Sequence, residues 1–422
     1  MRGTLAWLIL AAGLAPAAGA ANPAGTASGT LRIATFNCSL NRPVEGGLLR
    51  SLSTPGDPQA RAVAEIIQRV RPDILLLQEF DYDAAGASLA AFQSNYLARP
   101  QGGAQAIHFE HSFFAGSNTG TPSGFDLDRD GRIGGGGDAL GFGEFPGQYA
   151  MVLLSRFPIE RDAVRTFRQF LWRDMPGALL PDDPSTPAPA DWCSPQALAV
   201  LPLSSKSHWD VPVRVGGQAL HLLISHPTPP AFDGPEDRNG RRNHDEIRLW
   251  SDYLDGAAYL RDDAGRAGGF AGGRFVIMGD QNSDPVDGGS LHDAIDALVN
   301  HARVDRSFVP RSAGGPEAAA RQGGANQAQR GDPRFDTADF DDRVAGNLRV
   351  DYLLPSKGLR VCGGGVFWPP RSSPLARLVD GGDDAPPPSS DHRLAWIDVS
   401  AGAARCRPGS DPTASAVSHP GR

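Results

Sequence analysis

Asn37, Glu79, His226, Asp280, Asn282, Asp391 and His392 each stand at or just beyond the end of a predicted strand, and Asp351 lies inside one, beside Tyr352. Carboxylates grouped with an amide suit a hard divalent cation, because Mg²⁺ takes oxygen ligands and keeps several of its waters. Two histidines beside further carboxylates supply a proton donor, a base and groups that face a phosphate. In a layered α/β fold, residues at strand ends converge on one crevice. The whole set describes metal-assisted phosphoester hydrolysis. Taken singly, each position has a plainer reading. Asp280 and Asn282 make an Asx-rich turn, Glu79 suits a helix cap or the surface, and Asp351 suits an ion pair with Arg349. The repetition at one strand end after another argues for chemistry.

The elements that must carry these residues follow from periodicity. Phe275, Val276, Ile277 and Met278 form an apolar run bounded by Gly279, which reads as a buried strand ending in Asp280. Residues 31–37 alternate and read as a strand ending in Asn37. Ala60, Val63, Ala64, Ile67 and Val70 fall at helical spacing over 57–71, Pro72 closes the segment, and 73–77 is a strand with Gln78 and Glu79 at its exit. Further strands are expected at 150–154, after Tyr149; at 219–225, delivering His226; at 349–354; and at 394–399. Helices are expected at 243–260 and after Ser290, which is placed to cap Leu291, Ile295 and Leu298. Residues 100–148, 168–206 and 305–345 read as loop insertions, in keeping with 51 glycines and 36 prolines.

Composition narrows the class. Arg2, the apolar run from Leu5 to Leu14 and Ala18-Gly19-Ala20 describe a secretory signal peptide over 1–20, too short to span a bilayer. A linker over 21–30, one catalytic domain over 31–400 and a disordered tail over 407–422 are expected after it, in a secreted or periplasmic protein without transmembrane segment or lipid anchor. Four cysteines, Cys38, Cys193, Cys362 and Cys406, suit an oxidising compartment and allow three pairings. A formal charge of −8 argues against broad electrostatic capture of nucleic acid, though not against a local basic groove. A monomer is expected.

Asp126, Asp128 and Asp130, with Gly131 next, open like a Ca²⁺ loop. The twelfth position is Gly137 rather than Glu, which excludes an EF-hand; Asp138 is the nearest carboxylate to close the site. Such an ion is structural, pinning a glycine-rich loop. A solvated acidic turn is the alternative.

Thr35-Phe36-Asn37, Gln78-Glu79, Ser155-Arg156, His226-Pro227, Gly279-Asp280-Gln281-Asn282, Asp351-Tyr352 and Ser390-Asp391-His392 occur in that order. In this the chain resembles the endonuclease/exonuclease/phosphatase superfamily, the deoxyribonuclease-I-like fold, over roughly residues 31 to 400. The resemblance implies an α/β (α+β) sandwich of two packed, mostly antiparallel sheets flanked by helices in four layers. It implies Mg²⁺ or Mn²⁺ on Glu79, with Asn37 and Asp391 beside it, and Asp280 as the residue that deprotonates water. Asn282 resembles the amide on a phosphate oxygen, and His392 the histidine on the scissile phosphate, oriented by Asp351. His226 resembles the histidine that protonates the leaving oxygen, and Tyr149 a tyrosine on the phosphate. The substrate stays open. A nuclease-like phosphodiesterase comes first, and a phosphomonoesterase acting on phospholipid or inositol phosphate second. A catalytically silent calcium-dependent binding protein comes third. Arg156, Lys206, His208, Trp172 and Trp209 are candidate contacts around the cleft, each with a structural alternative.

Overall fold

Ile74, Leu75, Leu76 and Leu77 follow one another without polar alternation, and the strand they form is buried on both faces, as a strand inside a layered sandwich must be. A computed structural model describes residues 30–382, 385–400, 406, 412 and 413. The expected leader and nearly all of the expected linker and tail lie outside the described residues.

In chain order the strands are β1 (Leu31–Asn37), β2 (Ile74–Gln78), β3 (His111–Phe114), β4 (Met151–Ser155), β5 (Arg165–Thr166), β6 (His208–Val215), β7 (Gln218–Ser225) and β8 (Phe275–Asp280). They continue as β9 (Ala338–Asp339), β10 (Asn347–Leu348), β11 (Asp351–Pro355), β12 (Arg360–Val366) and β13 (Ala395–Ser400). Strands β9 and β10 pair in a two-stranded ribbon; of the two large sheets, one has the order β12-β13-β1-β2-β4-β3 and the other β11-β8-β7-β6-β5. Each is antiparallel except for one parallel pair, β1 with β2 and β7 with β8. The expected sandwich is present, with sheets that are mixed.

The two-residue period of a strand assigns side chains to layers. Val276 and Met278 of β8, with Leu222 and Ile224 of β7, join the core shared with β1, β2 and the helix Pro58–Val70. Phe275 and Ile277 of β8, with Leu223, turn the other way and pack with Ile247, Trp250 and Leu254 of the helix Arg238–Leu254. The helix Pro58–Val70 starts where Asp57 accepts the Ala60 N–H at 2.9 Å, and ends at Arg71 in the left-handed region.

Several expectations need correction. The helix expected at 243–260 runs from Arg238 to Leu254, with Gly256 at φ +81 just beyond its end. Its first turn has no apolar residue to announce it. Ser290 does not cap the next helix, His292–Val299; it accepts the Ser283 hydroxyl at 2.8 Å instead. The insertion at 100–148 contributes edge strand β3, and that at 305–345 contains the helix Gly314–Gln322. Strands β6 and β12 were not expected from the sequence. Pro212 inside β6 reads as a strand breaker, and Gly363 to Gly365 in β12 accompany a bulge after Val361. Of the three cysteine pairings, Cys362–Cys406 is formed. Cys38 is buried, its thiol pushed up to about 12 by that burial, and Cys193 is free.

Candidate active site

Strand direction brings the polar residues together. β1 and β2 run parallel, so Asn37 and Glu79 leave the first sheet at one edge. β4 and β13 run antiparallel to that pair, so Tyr149 and Asp391-His392 approach the same edge from outside. In the second sheet β7 and β8 are parallel and deliver His226 and Asp280 side by side, while Asp351 opens β11 directly opposite Asp280. Gly279, at φ +138, permits the close approach: a Cβ there would stand 2.0 Å from the Ser225 carbonyl oxygen. That contact fixes Asp280 next to His226.

The centre is a bonded chain. Asn37 Nδ2 donates to Glu79 Oε1 and to Asp280 Oδ2, each at 3.1 Å, with His392 Nε2 at 3.5 Å. Asp280 Oδ1 accepts the Asn282 N–H at 2.8 Å, and its Oδ2 lies 3.4 Å from His226 Nε2 and 3.7 Å from His392 Nε2. His392 Nδ1 meets Asp351 Oδ2 at 2.9 Å, so Asp351 serves the histidine; Arg349 stacks on Tyr352 instead. Asn282 Nδ2 donates to the Pro227 carbonyl at 3.1 Å. Glu79, Tyr149 and Asn282 all adopt positive φ, between 51 and 56°, a conformation held against steric cost by the structure around it.

Burial and charge divide the titrating groups. Burial opposes a charged His392, but Asp351 and Asp280 outweigh it and hold the imidazolium up to about 10. Burial pushes Asp280 to about 7, against the lowering pull of His392. His226 is driven well below its ordinary value by burial, then by the positive charges of Lys206 and His392, and its Nδ1 has no hydrogen-bond partner. Burial, then Asp391, raises Glu79; the Tyr149 hydroxyl is raised by burial, then by Glu79.

Glu79 and Asp391 have the chemistry of a cation site. Glu79 takes only amide donors, from Asn37 and from Asn41 at 2.8 Å, and Asp391 only hydroxyl donors, from Ser39 and Ser390. Neither forms an ion pair among the described residues, and Asp391 adds to burial in disfavouring the charge of Glu79. Two such carboxylates fit a divalent ion. Asn37 differs from the expected ligand, since its Nδ2 faces the carboxylates while its Oδ1 accepts the Ser39 N–H at 3.3 Å. Asp280, Asp351 and His392 also bring potential ligand atoms within 4.8 Å of one another. There the imidazole already bridges the two carboxylates.

Several candidate contacts lie elsewhere. Arg156 pairs with Asp73 at 3.3 Å, where β2 begins, so at the opposite edge of the sheet. Trp172 is buried with Nε1 on Asp245, Trp209 packs against Phe113, and His208 sits between Ser204 Oγ and the Glu246 carbonyl. Lys206 alone of that group reaches the centre. Among the residues that escaped sequence reading are Asn41, on Glu79, and Thr337, whose Oγ1 accepts the N–H groups of Val350 and Asp351 at 3.0 and 2.9 Å. Neither sits in a motif that would announce it.

In the acidic loop, Asp126, Asp128 and Asp130 bring carboxylate oxygens within 4.8 Å of one another, and Asp126 Oδ1 is buried without a partner. A side chain at position 137 would collide with Asp128, which accounts for glycine there. The oxygens of Asp138 accept the N–H groups of Leu127 and Gly134 at 2.6 and 2.8 Å, bracing the loop from within.

The model of the Endonuclease/Exonuclease/phosphatase family matches residues 34–392. No curated protein sequence matches the chain. Solved structures similar to it include an endonuclease/exonuclease/phosphatase from Beutenbergia cavernae DSM 12333, 17% identical over 89% of this chain and 72% of that one, TM-score 0.46. Sphingomyelinase C from Streptomyces griseocarneus is 14% identical over 87% and 99% of the two chains, TM-score 0.42. A protein of this family from Bacteroides thetaiotaomicron is 13% identical over 90% and 98%, TM-score 0.44.

Proposed function

This chain belongs to the endonuclease/exonuclease/phosphatase family, and we propose that it is an exported, divalent-metal-dependent phosphoesterase that hydrolyses phosphodiester bonds by in-line attack of water. The observation that carries the reading is the bonded chain Glu79–Asn37–Asp280 facing the Asp351–His392 pair. Glu79 and Asp391, with Asn37 beside them, would hold Mg²⁺ or Mn²⁺, which when bound supplies charge to a phosphoryl oxygen and to the leaving oxygen. Asp280, titrating near 7, suits removal of a proton from water at neutral pH. His392, cationic and oriented through Nδ1 by Asp351, presents its other N–H to a phosphate oxygen. Asn282 presents an amide N–H, and Tyr149 a hydroxyl, to the same group. His226 is neutral while the site lacks an anion. The negative charge of a bound phosphate favours the imidazolium form that His226 needs in order to protonate the leaving oxygen.

The Cys362–Cys406 disulfide supports an oxidising, exported setting. A structural Ca²⁺ on Asp126, Asp128 and Asp130 belongs to the same reading, supported by the unpartnered buried oxygen of Asp126.

Hydrolysis of plasmid DNA, bis-p-nitrophenyl phosphate and p-nitrophenyl phosphate by the purified protein, with and without EDTA, tests the reading. The diester is expected to be cut and EDTA to abolish cutting. Glu79→Gln keeps the shape and removes the charge, so turnover should fall about a thousandfold or more. Full activity in EDTA, or in Glu79→Gln, would refute the metal mechanism.

A further inference from the structure

We propose that Lys206, carried in by the loop before β6, is a phosphate-binding residue of this centre, its ammonium receiving a non-bridging oxygen of the substrate beside Asn282. The inference rests on the phosphoesterase reading and adds to it a cationic contact from an insertion.

Lys206 is 7% exposed, and its Nζ makes one long contact, 3.4 Å to the Pro227 carbonyl oxygen. An ammonium has three donors, so most of its hydrogen-bonding capacity is unspent. No carboxylate oxygen stands within 4 Å of it among the described residues. Burial opposes the ammonium's charge, and the carboxylates of Glu246, Glu79 and Asp280, none within ion-pair distance, offset that only in part, so an incoming anion has a charge left to pair with.

The location of that unspent capacity identifies the ligand. The Pro227 carbonyl that receives Lys206 also receives Asn282 Nδ2 at 3.1 Å. Ammonium and amide are therefore no more than two hydrogen bonds apart, and the residue before Pro227 is His226. Asn282, His226 and His392 all adjoin Asp280, and Lys206 shares the Pro227 carbonyl with Asn282, so four nitrogen groups, two of them cationic, gather around this carboxylate. A phosphate is the group with enough oxygens and negative charge to use them together.

The mounting is rigid. The Lys206 carbonyl accepts the Asn118 N–H at 3.0 Å. One oxygen of Glu246 takes the Ser205 N–H and hydroxyl at 2.6 and 2.9 Å, and the other takes the Thr228 N–H at 2.7 Å. A single side chain on the helix Arg238–Leu254 therefore locks the segment bearing Lys206 to the segment bearing His226 and Pro227. Preorganised donors of this kind need no reordering when an anion arrives.

The test uses Lys206→Met, which keeps length and apolar volume and removes the charge. In the Mg²⁺-loaded wild type, inorganic phosphate should raise the melting temperature and inhibit bis-p-nitrophenyl phosphate hydrolysis competitively. In Lys206→Met the phosphate affinity read by either route should fall tenfold or more, and KM for the diester should rise. Without phosphate the variant should melt at or above the wild-type temperature, because an unpaired buried charge has gone. A structural lysine gives the reverse, a lower melting temperature or failure to fold with phosphate affinity intact, and either result overturns the proposal. A wild type that melts at the same temperature with phosphate overturns it as well. A wild type that binds phosphate yet hydrolyses no phosphoester refutes the phosphoesterase reading and leaves the Lys206 contact standing on the melting data.

Discussion

His226 and His392 are both buried beside Asp280, yet their surroundings push them apart. His392 has the Asp351 carboxylate on Nδ1 at 2.9 Å and remains charged. His226 has no partner on Nδ1, and burial, then the charges of Lys206 and His392, hold it well below its ordinary value. Groups held apart in this way take different roles in acid–base chemistry. If His226 protonates the leaving oxygen, its removal matters most where the leaving group is a poor one. His226→Ala should cost about a hundredfold or more on an alkyl phosphodiester and far less on a nitrophenyl diester, whose leaving group needs no proton. Equal losses on the two substrates would leave His226 as a phosphate contact only.

The loop of Asp126 to Gly131 is anchored at both flanks. Arg129 pairs with Asp183 at 2.7 Å and lies over the Trp192 ring, while Trp192 Nε1 donates to the Leu127 carbonyl. Two insertions are thus tied together around three aspartates that repel one another without a cation. An ion that binds the native state alone stabilises it by RT ln(1 + [L]/Kd), so about a hundredfold excess over Kd should add roughly 2.7 kcal/mol. Melting should rise with Ca²⁺ in the wild type and much less in Asp128→Ala, with Mg²⁺ a poor substitute because it gives up water reluctantly. A melting temperature indifferent to Ca²⁺ would make the loop an ordinary acidic turn.

Stability of the whole chain should carry the mark of Asp336, which is 6% exposed and whose Oδ2 has no hydrogen-bond partner. Burial, then Asp284, Asp287 and Asp332, lifts its carboxyl to about 8 from an ordinary 3.8. Between those values the folded chain holds a proton that the unfolded chain has released. The group's contribution is therefore complete below about pH 4 and is lost as pH rises through 8. Asp336→Asn should be close to wild type at pH 4 and more stable at pH 9, by on the order of 2 kcal/mol or more in urea unfolding. A difference that does not change with pH would show Asp336 to be ionised throughout.

Side-chain periodicity and the polar residues that close each apolar run are local properties, and they place Asn37, Glu79, His226, Asp280 and His392 at strand ends; Asp351, expected inside a strand over 349–354, instead opens β11. Strand direction then makes such ends meet, so their convergence was legible in the residues, while the two-sheet sandwich was legible only through the ordered motifs that resemble a family. Partnership was not, because it depends on which faces pack across segments far apart in sequence. Asp351 had Arg349 as an alternative neighbour, and the pairing of β11 with β8, with the approach of 390–392 to β1, sets it on His392. The same holds for Lys206, His208 and Trp209. They lie within four positions, yet the alternation of β6 and the grip of Glu246 send one to the centre and two into the core. The cysteines were likewise degenerate until the edge strand β12 brought Cys362 within reach of Cys406. A short stretch of chain specifies what a residue is able to do, and packing between distant stretches selects the group it does it to.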